Sequence, residues 1–339
     1  MPYAMNSKGR RWLSQPQQWR ADVLLLLVAL IWGSTFVLVK RAVAQYPVYA
    51  FLFLRFALAT GVLLVLFGRH LQRLSPSMLL AGVAIGLFLF GGYAFQTVGL
   101  QYTSASNAGF ITGLSVVIVP MLSTVLLRRM PEPQALLGVV LATVGLALLT
   151  MGKDLRPSHG DLIVLGCAFC YALHISAVSR FAPQTDALAL TLVQVAVVAV
   201  LSGAASLAVG EWPRAIPAHI FLAAAFTGVL ATALAFAIQN AVQARTTATH
   251  TALIFTTEPV FAALFGFLLA GESLAAWGWV GCGLILLGML LAELRLTIGS
   301  SLIQGLSRSA HLSAKPAATA SLAPHSSTCD LQEEEERRP

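Results

Sequence analysis

The chain has 339 residues, 57% of them hydrophobic and only 10% charged, and its mean hydropathy is +0.79. An ordinary soluble domain carries roughly 25% charged residues, so this composition cannot cover a water-exposed surface and excludes a soluble globular protein. The formal net charge of +7 does not indicate nucleic-acid binding, because the basic residues are scattered between apolar runs and form no stripe.

Apolar segments long enough to cross a bilayer recur along most of the chain. A transmembrane helix needs about 20 mostly apolar residues. The sequence predicts ten such helices, in chain order at 23–39, 49–68, 78–100, 105–127, 134–151, 161–179, 187–209, 217–241, 247–270 and 275–293. The first follows basic residues as a signal peptide does, but it lacks a small-residue cleavage site, so we expect it to be retained as helix one.

The basic residues are unevenly divided between the two sides of this predicted bundle. With the N-terminus inside, fifteen of the 21 Lys and Arg residues fall in inside segments, five in outside loops, and Arg55 within helix two. Because cytoplasmic loops carry the excess of positive charge, both termini are predicted to be cytoplasmic. This gives a cytoplasmic N-terminal segment at 1–21 and, from its polar composition, a disordered cytoplasmic tail at 295–339.

The two halves of the chain match each other at a nearly constant offset. Matched positions differ by 139 to 143 residues and stay in order along five helices: Asp22 and Asp161, Trp32 and Tyr171, Arg41 and Arg180, Arg55 and Gln194, Gly86 and Gly228, Gln101 and Gln243, Gly138 and Gly281, Gly145 and Gly288. Such ordered self-similarity indicates an internal repeat. It predicts one five-helix repeat at 22–151, a linker loop at 152–160, and a second repeat at 161–294.

Each predicted repeat has an odd number of spans, so the second must enter the membrane from the opposite side. The predicted fold is therefore an all-α polytopic membrane protein with ten transmembrane helices in two inverted five-helix repeats. Inverted repeats are typical of transporters that work by alternating access around a site near the bilayer midplane.

Four short motifs stand at particular places in this pattern: WGSTF at 32–36, LRF at 54–56, EPVF at 258–261, and Gly271-Glu272 before helix ten. With these motifs the chain resembles the EamA-type transporters of the drug/metabolite transporter superfamily, over roughly residues 22–293. The resemblance implies a ten-helix permease of a bacterial cytoplasmic membrane, often an exporter of amino acids or other metabolites. It also implies a cavity lined by helices one, three, four, six, eight and nine.

Glu258 is an ionisable group near the middle of helix nine, where a charge costs several kcal/mol unless it is paired or hydrated. The adjacent Pro259 removes a backbone hydrogen bond and can open the helix. The carboxylate either couples transport to protons or cations, or belongs to a helix-kink motif, and the sequence leaves both open. In the first repeat the matching position is Val116, and the proline comes later, at Pro120.

Arg55 and His174 are the other ionisable groups placed within predicted spans. Arg55 is interpreted as structural, because the resemblance places helix two outside the cavity and a long side chain can extend toward an interface. His174 either couples protons to the solute or hydrogen-bonds across a helix interface.

Polar and aromatic residues on several helices are candidates for lining a solute site. Trp32 and Thr35 share a face of helix one, and the 139-residue offset carries them onto Tyr171 and His174 of helix six. Further candidates on helices three, four and eight are Tyr93, Gln96, Asn107 and Gln239. Some of these residues are expected to serve helix packing instead. Residues assigned to structural motifs are Gly33, Arg55, Pro120, Gly271 and Glu272.

The sequence predicts a secondary transporter of a small solute and not an enzyme. It contains neither a nucleotide-binding loop nor a hydrolase or zinc-protease motif. Cys167 and Cys170 form a C-x-x-C pair without a second ligand pair, so we expect packing residues, with no metal and no cofactor. The predicted partners are the solute and the lipid bilayer, without nucleic acid. An intramembrane enzyme, a membrane sensor and a homodimeric state remain open alternatives.

Overall fold

The computed structural model describes residues 15–127, 133–150, 158–212, 215–271 and 275–293. Throughout these ranges the regular structure is helical, and no strand occurs in them. The first half contains α1 (Gln15–Val43), α2 (Val48–Phe67), α3 (Pro76–Gly99), α4 (Ala105–Gly113), α5 (Ser115–Leu127) and α6 (Pro133–Thr150). The second half contains α7 (His159–Phe181), α8 (Ala187–Ala208), α9 (Ala218–Gly228), α10 (Ala235–Gln243), α11 (Ala248–Phe255), α12 (Thr257–Ala270) and α13 (Ala276–Glu293).

The predicted all-α membrane architecture is confirmed, because eight helical stretches within the described ranges are long and apolar enough to cross a bilayer. Where the sequence predicts the fifth and tenth spans, the structure has shorter apolar helices, Leu136–Leu148 and Ala276–Met289. Helix one is longer than predicted. α1 begins at Gln15, within the segment 1–21 that the sequence predicts to precede the first helix. The predicted tail at 295–339 lies outside the described residues.

Two of the spans predicted to be continuous are broken near the middle. α4 ends at Gly113 and α5 begins at Ser115, and α11 ends at Phe255 where α12 begins at Thr257. The intervening residues, Leu114 and Thr256, are 142 residues apart, so the breaks fall at matching positions. Only the second break is followed by a Glu-Pro pair, which means that proline is not the common cause.

The span Ala218–Gln243 contains a different irregularity. α9 and α10 are joined by a π-helical turn at Val229–Leu234, where Thr232 Oγ1 donates a 3.0 Å hydrogen bond to the carbonyl of Thr227, five residues earlier. A π turn widens the helix and frees a backbone carbonyl, and such turns are frequent at functional sites. The matching stretch of α3 is a regular α-helix.

Glycines set the distance between helices of the two halves. A Cβ at Gly145 of α6 would lie 2.6 Å from the carbonyl oxygen of Gly281 of α13. A Cβ at Gly288 of α13 would lie 2.8 Å from the carbonyl oxygen of Gly138 of α6. The residue pairs 138 and 281, and 145 and 288, are the ones that matched in the sequence, so the α6–α13 contact is reciprocal.

A second reciprocal contact joins α2 with α9 and α8 with α3. A Cβ at Gly228 would lie 2.6 Å from the carbonyl oxygen of Arg55, and one at Gly86 would lie 3.1 Å from that of Gln194. Gly33 similarly allows α1 to approach α12, since a Cβ there would lie 2.5 Å from Cβ of Phe261. The helices of the two halves therefore alternate around one centre, where the site residues meet.

Candidate solute cavity

A cavity lies where the two halves meet, with walls from α1, α2, α3, α4, α5, α7, α10, α11 and α12. Its principal lining residues are Trp32, Thr35, Phe36, Arg55, Tyr93, Gln96, Thr112, Tyr171, His174, Phe236, Gln239, Phe255 and Glu258. Its volume is about 50 Å³, and a water molecule needs roughly 10–15 Å³ of such space. In this conformation the cavity has room for only a few water molecules, which is too little for a metabolite.

Aromatic rings form much of the cavity wall. The Trp32 ring lies 5.2 Å from that of Phe236 and 5.0 Å from that of Phe255, and the Tyr93 and Tyr171 rings meet edge to face at 5.6 Å. Such tilted and edge-on arrangements are favourable for aromatic pairs. Trp32 and Tyr171, which matched in the sequence, thus both reach the centre. Phe236 and Phe255 carry no polar signal that would have marked them in an apolar sequence.

Most of the polar side chains in the cavity are already hydrogen-bonded to one another. Gln96 Nε2 donates to Thr112 Oγ1 at 3.1 Å, and Tyr171 Oη donates to Gln96 Oε1 at 3.4 Å. Thr35 Oγ1 donates to the carbonyl of Trp32 in its own helix at 2.7 Å. These bonds fix the orientation of the amide and hydroxyl groups, as a binding site requires.

His174 is 2% exposed and lies within 2.6 Å of its partner, its Nε2 facing Oε1 of Gln194. Gln194 is itself fully buried, and its Nε2 has no hydrogen-bond partner in the described structure. His174 is therefore held by a bond between α7 and α8, the packing alternative that the sequence left open, while its ring also borders the cavity.

The interpretation of Arg55 as a residue that extends toward an interface is wrong. Its side chain is 3% exposed and lines the cavity, so helix two contributes to the wall after all. Arg55 Nε donates to Thr232 Oγ1 at 2.8 Å, and Nη2 donates to Tyr93 Oη at 3.2 Å and to the carbonyl of Ala231 at 3.4 Å. The π turn supplies two of these three acceptors.

The free carbonyl of Ala231 on that turn has a second donor. Trp32 Nε1 donates to it at 2.8 Å, so one backbone oxygen connects α1, α2 and the π turn. Arg55 is also close to the Tyr93 ring, with Cζ 4.7 Å from the ring centroid, a favourable cation–π distance. Thr232 and Ala231 are thus part of the site, although the sequence gives no sign of a π turn.

Glu258 lies in the first turn of α12, directly after the helix break. A carboxylate is favourable there because the N-terminus of a helix carries a partial positive charge. It borders the cavity and accepts no hydrogen bond from any residue that the structure describes. Pro259 packs with its Cγ next to Gly113 of α4 and does not itself line the cavity.

Asn107 also lies outside the cavity, contrary to the prediction for it. It stands in the first turn of α4, where its backbone N–H donates to Ser104 Oγ and its side chain bonds the carboxylate of Asp161 at the start of α7. Thr103 Oγ1 donates to the same carboxylate at 2.6 Å. Asn107 therefore connects the ends of two helices instead of facing a solute.

The remaining motif residues have structural positions. Gly271 ends α12 with φ +67°, a left-handed conformation that glycine adopts without strain. Pro120 is buried inside α5, six residues beyond the break at Leu114. Glu272 lies outside the described residues. In those residues Cys167 and Cys170 are free thiols, and no group of three His, Cys, Asp or Glu could hold a metal.

Two matching glutamines hold the ends of α1 and α7. Gln101 Nε2 donates to the carbonyl of Val43, the last residue of α1, at 3.2 Å, and its side chain is exposed. Gln243 Nε2 donates to the carbonyl of Ile175 at 2.6 Å and to Ser179 Oγ at 2.7 Å near the end of α7, and Gln243 is fully buried. The second contact is therefore the tighter one.

Ion pairs and long side chains add to these end contacts. His250 Nε2 lies 2.8 Å from Asp22 Oδ1, and Gln18 Nε2 donates to the same oxygen at 3.1 Å, which connects the start of α1 with α11. At the other end of α1, Lys40 Nζ donates to the carbonyl of Thr103 at 2.8 Å. The start of α1 is thereby held to the half-helix α11, and its end to the segment that precedes α4.

Comparison with known proteins finds one family over both halves of the chain. The profile of the EamA-like transporter family matches residues 19–151 and again residues 158–294. An uncharacterized transporter of Archaeoglobus fulgidus is 36% identical over 276 residues, which is 81% of this chain and 86% of that protein. The uncharacterized transporter YyaM of Bacillus subtilis is 28% identical, with 80% of this chain and 92% of that protein covered.

The uncharacterized inner membrane transporter YedA of Escherichia coli is 27% identical, with 80% of this chain and 89% of YedA covered. The solved structures that match include a crystal structure with a TM-score of 0.67 at 19% identity, over 80% of this chain and 96% of the other. At that identity the structural likeness shows a shared fold.

Proposed function

Because the chain belongs to the EamA-like transporter family and is a multi-pass membrane transporter, we propose that it exports amino acids or related small metabolites by secondary transport. The observation that carries this proposal is the nearly closed cavity between the two matching halves. It combines aromatic walls, fixed polar groups and one carboxylate, Glu258. Solute sites are usually of this kind, mostly apolar with a few placed polar groups.

Alternating access is the proposed mechanism, with ten spans in two inverted repeats. The shorter helices α6 and α13 then cross the membrane as the fifth and tenth spans, packed through their reciprocal glycine contacts. The repeats span 22–151 and 161–294, separated by a linker at 152–160. Reciprocal contacts favour a rocking motion, since the contacts that loosen in one half have counterparts that tighten in the other.

The proposed orientation places both termini in the cytoplasm of a bacterial cell, as the excess of basic residues on that side favours. Gln243 and the Asp22–His250 pair then lie at the cytoplasmic end, and Gln101 at the outer end. At the cytoplasmic end the buried Gln243 makes three hydrogen bonds. At the outer end Gln101 makes one, and Lys40 and Thr103 make two more.

Glu258 is the proposed coupling group. A carboxylate without a hydrogen-bond donor at membrane depth is costly as an anion, so it exchanges a proton or a solute cation readily. Pro259 and the preceding helix break leave its half-helix free to shift against Gly113 and Gly33. His174, bonded to Gln194, is assigned to positioning of the cavity wall.

Flux measurements in proteoliposomes test the proposal. Radiolabelled amino acids are supplied singly to the purified full-length chain, with and without a pH gradient. We expect gradient-driven flux of at least one of them. Glu258→Gln should reduce the gradient-driven flux at least tenfold and leave solute exchange at zero gradient within threefold, because exchange needs no net proton movement.

Two matched variants complete this experiment. Glu211→Gln neutralises an exposed loop carboxylate and should leave the gradient dependence unchanged. His174→Ala should keep the gradient dependence and lower the melting temperature. Flux that stays gradient-driven in Glu258→Gln would refute the coupling role, and the absence of flux for every amino acid would refute the proposed substrate class.

A further inference from the structure

Arg55 is a buried charge at the centre of the bundle without a charged partner. Within the described residues, no carboxylate lies within 4.0 Å of its guanidinium group. An unpaired charge at membrane depth is costly, and residues of this type usually mark a solute or ion pathway. The neutral partners Thr232, Tyr93 and Ala231 reduce that cost, but they leave the positive charge uncompensated.

The guanidinium group is held by only two of its three nitrogens. Nε and Nη2 donate to the π turn and to Tyr93, whereas Nη1, with two N–H groups, donates to no acceptor among the described residues. Since Arg55 lines the cavity and its other edge is held by Tyr93 and the π turn, Nη1 is the donor edge left for a cavity ligand. A fixed guanidinium edge of this kind is a favourable partner for a carboxylate.

The same cavity also contains hydrogen-bond acceptors that lack a donor. Gln239 is 1% exposed, and its Oε1 accepts no hydrogen bond, although its Nε2 donates to Gln243 at 3.0 Å. The Glu258 carboxylate likewise accepts none from the described residues. The cavity therefore offers one cationic donor and two acceptors, with aromatic rings between them.

We infer that Arg55 is the specificity-determining residue of this transporter, and that its Nη1 edge binds an anionic group, a carboxylate, of the transported solute. The amine or other donor of the same solute then faces Gln239 and Glu258. This assignment rests on the proposed transport function and narrows it: the solutes carry a carboxylate, and amines that lack one are poor substrates.

Only one of the two matching positions, that of Arg55, faces the cavity. Gln194 lies 139 residues after Arg55, yet it is bonded to His174 and lies outside the cavity wall. The π turn that holds Arg55 likewise has no counterpart in α3. The symmetric scaffold therefore contains one anion-binding position, on α2.

The test uses three probes that share an aromatic ring: L-phenylalanine, phenethylamine, which lacks the carboxylate, and 3-phenylpropionate, which lacks the amine. In proteoliposomes of the wild-type chain, we expect 3-phenylpropionate to inhibit flux of labelled phenylalanine. Phenethylamine should inhibit it at least tenfold more weakly. This ranking needs no variant, so it decides the question even if substitutions at Arg55 fail to fold.

Variants then test whether the preference for a carboxylate depends on Arg55. Arg55→Gln should raise KM for phenylalanine at least tenfold and change the inhibition constant of phenethylamine less than threefold. Arg55→Lys should give an intermediate KM, because it keeps the charge and loses the guanidinium edge. Arg69→Gln, which removes an exposed charge beyond the end of α2, should leave KM unchanged.

The outcomes separate the two proposals. If none of the probes and no other amino acid crosses, the proposed function fails and this inference fails with it. If phenylalanine crosses but phenethylamine inhibits it as well as 3-phenylpropionate does, transport stands and the carboxylate assignment is overturned. An equal loss for all probes in Arg55→Gln would show that Arg55 only supports the π turn.

Discussion

Arg55 and Gln194 occupy matching places on α2 and α8, and their side chains have different surroundings. Arg55 extends across to the π turn and into the cavity, whereas Gln194 is bonded to His174 behind the wall. Their backbones nevertheless make the same contact, each carbonyl packing against a glycine of the other half, Gly228 or Gly86. The halves thus share the backbone framework and differ in the side chains at its centre.

The two broken spans likewise share their backbone framework and differ in their side chains. Leu114 and Thr256 interrupt their helices at matching positions, but the second residue after the break is Val116 in one half and Glu258 in the other. Both half-helices place their first turn toward the centre, and only one of them brings a charge there. In the proposed mechanism, the symmetric framework permits the motion, and the asymmetric side chains select one solute and provide one coupling group.

The largest expected effect on stability comes from placing a carboxylate after the first helix break, where the second break has Glu258. Val116→Glu places a carboxylate at a position that is 0% exposed, and we expect it to destabilise the protein by about 3 kcal/mol, the typical cost of a charge at membrane depth. Val116→Met, of similar length and uncharged, is the control. Thermal melting in detergent measures both, and equal stability of the two variants would mean that positions 116 and 258 have equally polar surroundings.

The next effect tests whether the framework is symmetric. Gly145→Ala and Gly288→Ala each place a Cβ under 3.0 Å from a carbonyl oxygen of the facing helix, which cannot move without shifting the backbone. We expect each to cost about 2 kcal/mol, as overpacking usually does, and to do so equally. Gly283→Ala, where the added Cβ meets no atom within 4 Å, should change the melting temperature little. Unequal losses at 145 and 288 would contradict a reciprocal contact.

A smaller difference is expected between the two glutamines. Gln243→Ala removes three buried hydrogen bonds, those with Ile175, Ser179 and Gln239, so it should cost about 1–3 kcal/mol. Gln101→Ala removes one exposed bond and should cost less than about 0.5 kcal/mol. Melting temperatures of both variants check this, and a larger loss for Gln101→Ala would show that the Gln101 contact is the stronger of the two.

The smallest effect is pH-dependent and concerns the residues that precede α2 and α8. Asp186 caps α8 and contacts His70 and Arg73 at 2.7 and 3.2 Å, whereas the matching residue, Pro47, has no side-chain cap. Burial alone would raise the pKa of Asp186, but hydrogen bonds from His70 and from backbone N–H groups hold it below the usual 3.8.

A carboxylate with a lowered pKa stabilises the fold above its unfolded-state pKa and loses that contribution as pH falls through the folded-state value. Wild-type stability should therefore decline below about pH 3.8. Asp186→Asn should lack this part of the decline and be slightly less stable at pH 7. Parallel pH profiles of the two melting curves would show that the contact is not electrostatic.

The sequence determined the membrane architecture and the internal repeat, because hydropathy and glycine spacing can be read directly from the order of the residues. It also named several residues that line the cavity, since Trp32, Thr35, Tyr171 and His174 are polar or aromatic residues on faces related by the repeat. The glutamines at 101 and 243 were visible as a matched pair, although their role at the ends of α1 and α7 was not.

The tertiary structure decided where Arg55 points, because its position depends on acceptors 38 to 177 residues away and on a π turn without a sequence signature. It likewise moved Asn107 out of the cavity, since the carboxylate that binds it belongs to the start of α7. It also revealed the break at Leu114, which no proline marks. Hydropathy places a residue in the membrane, but the direction of its side chain depends on which helices pack against it.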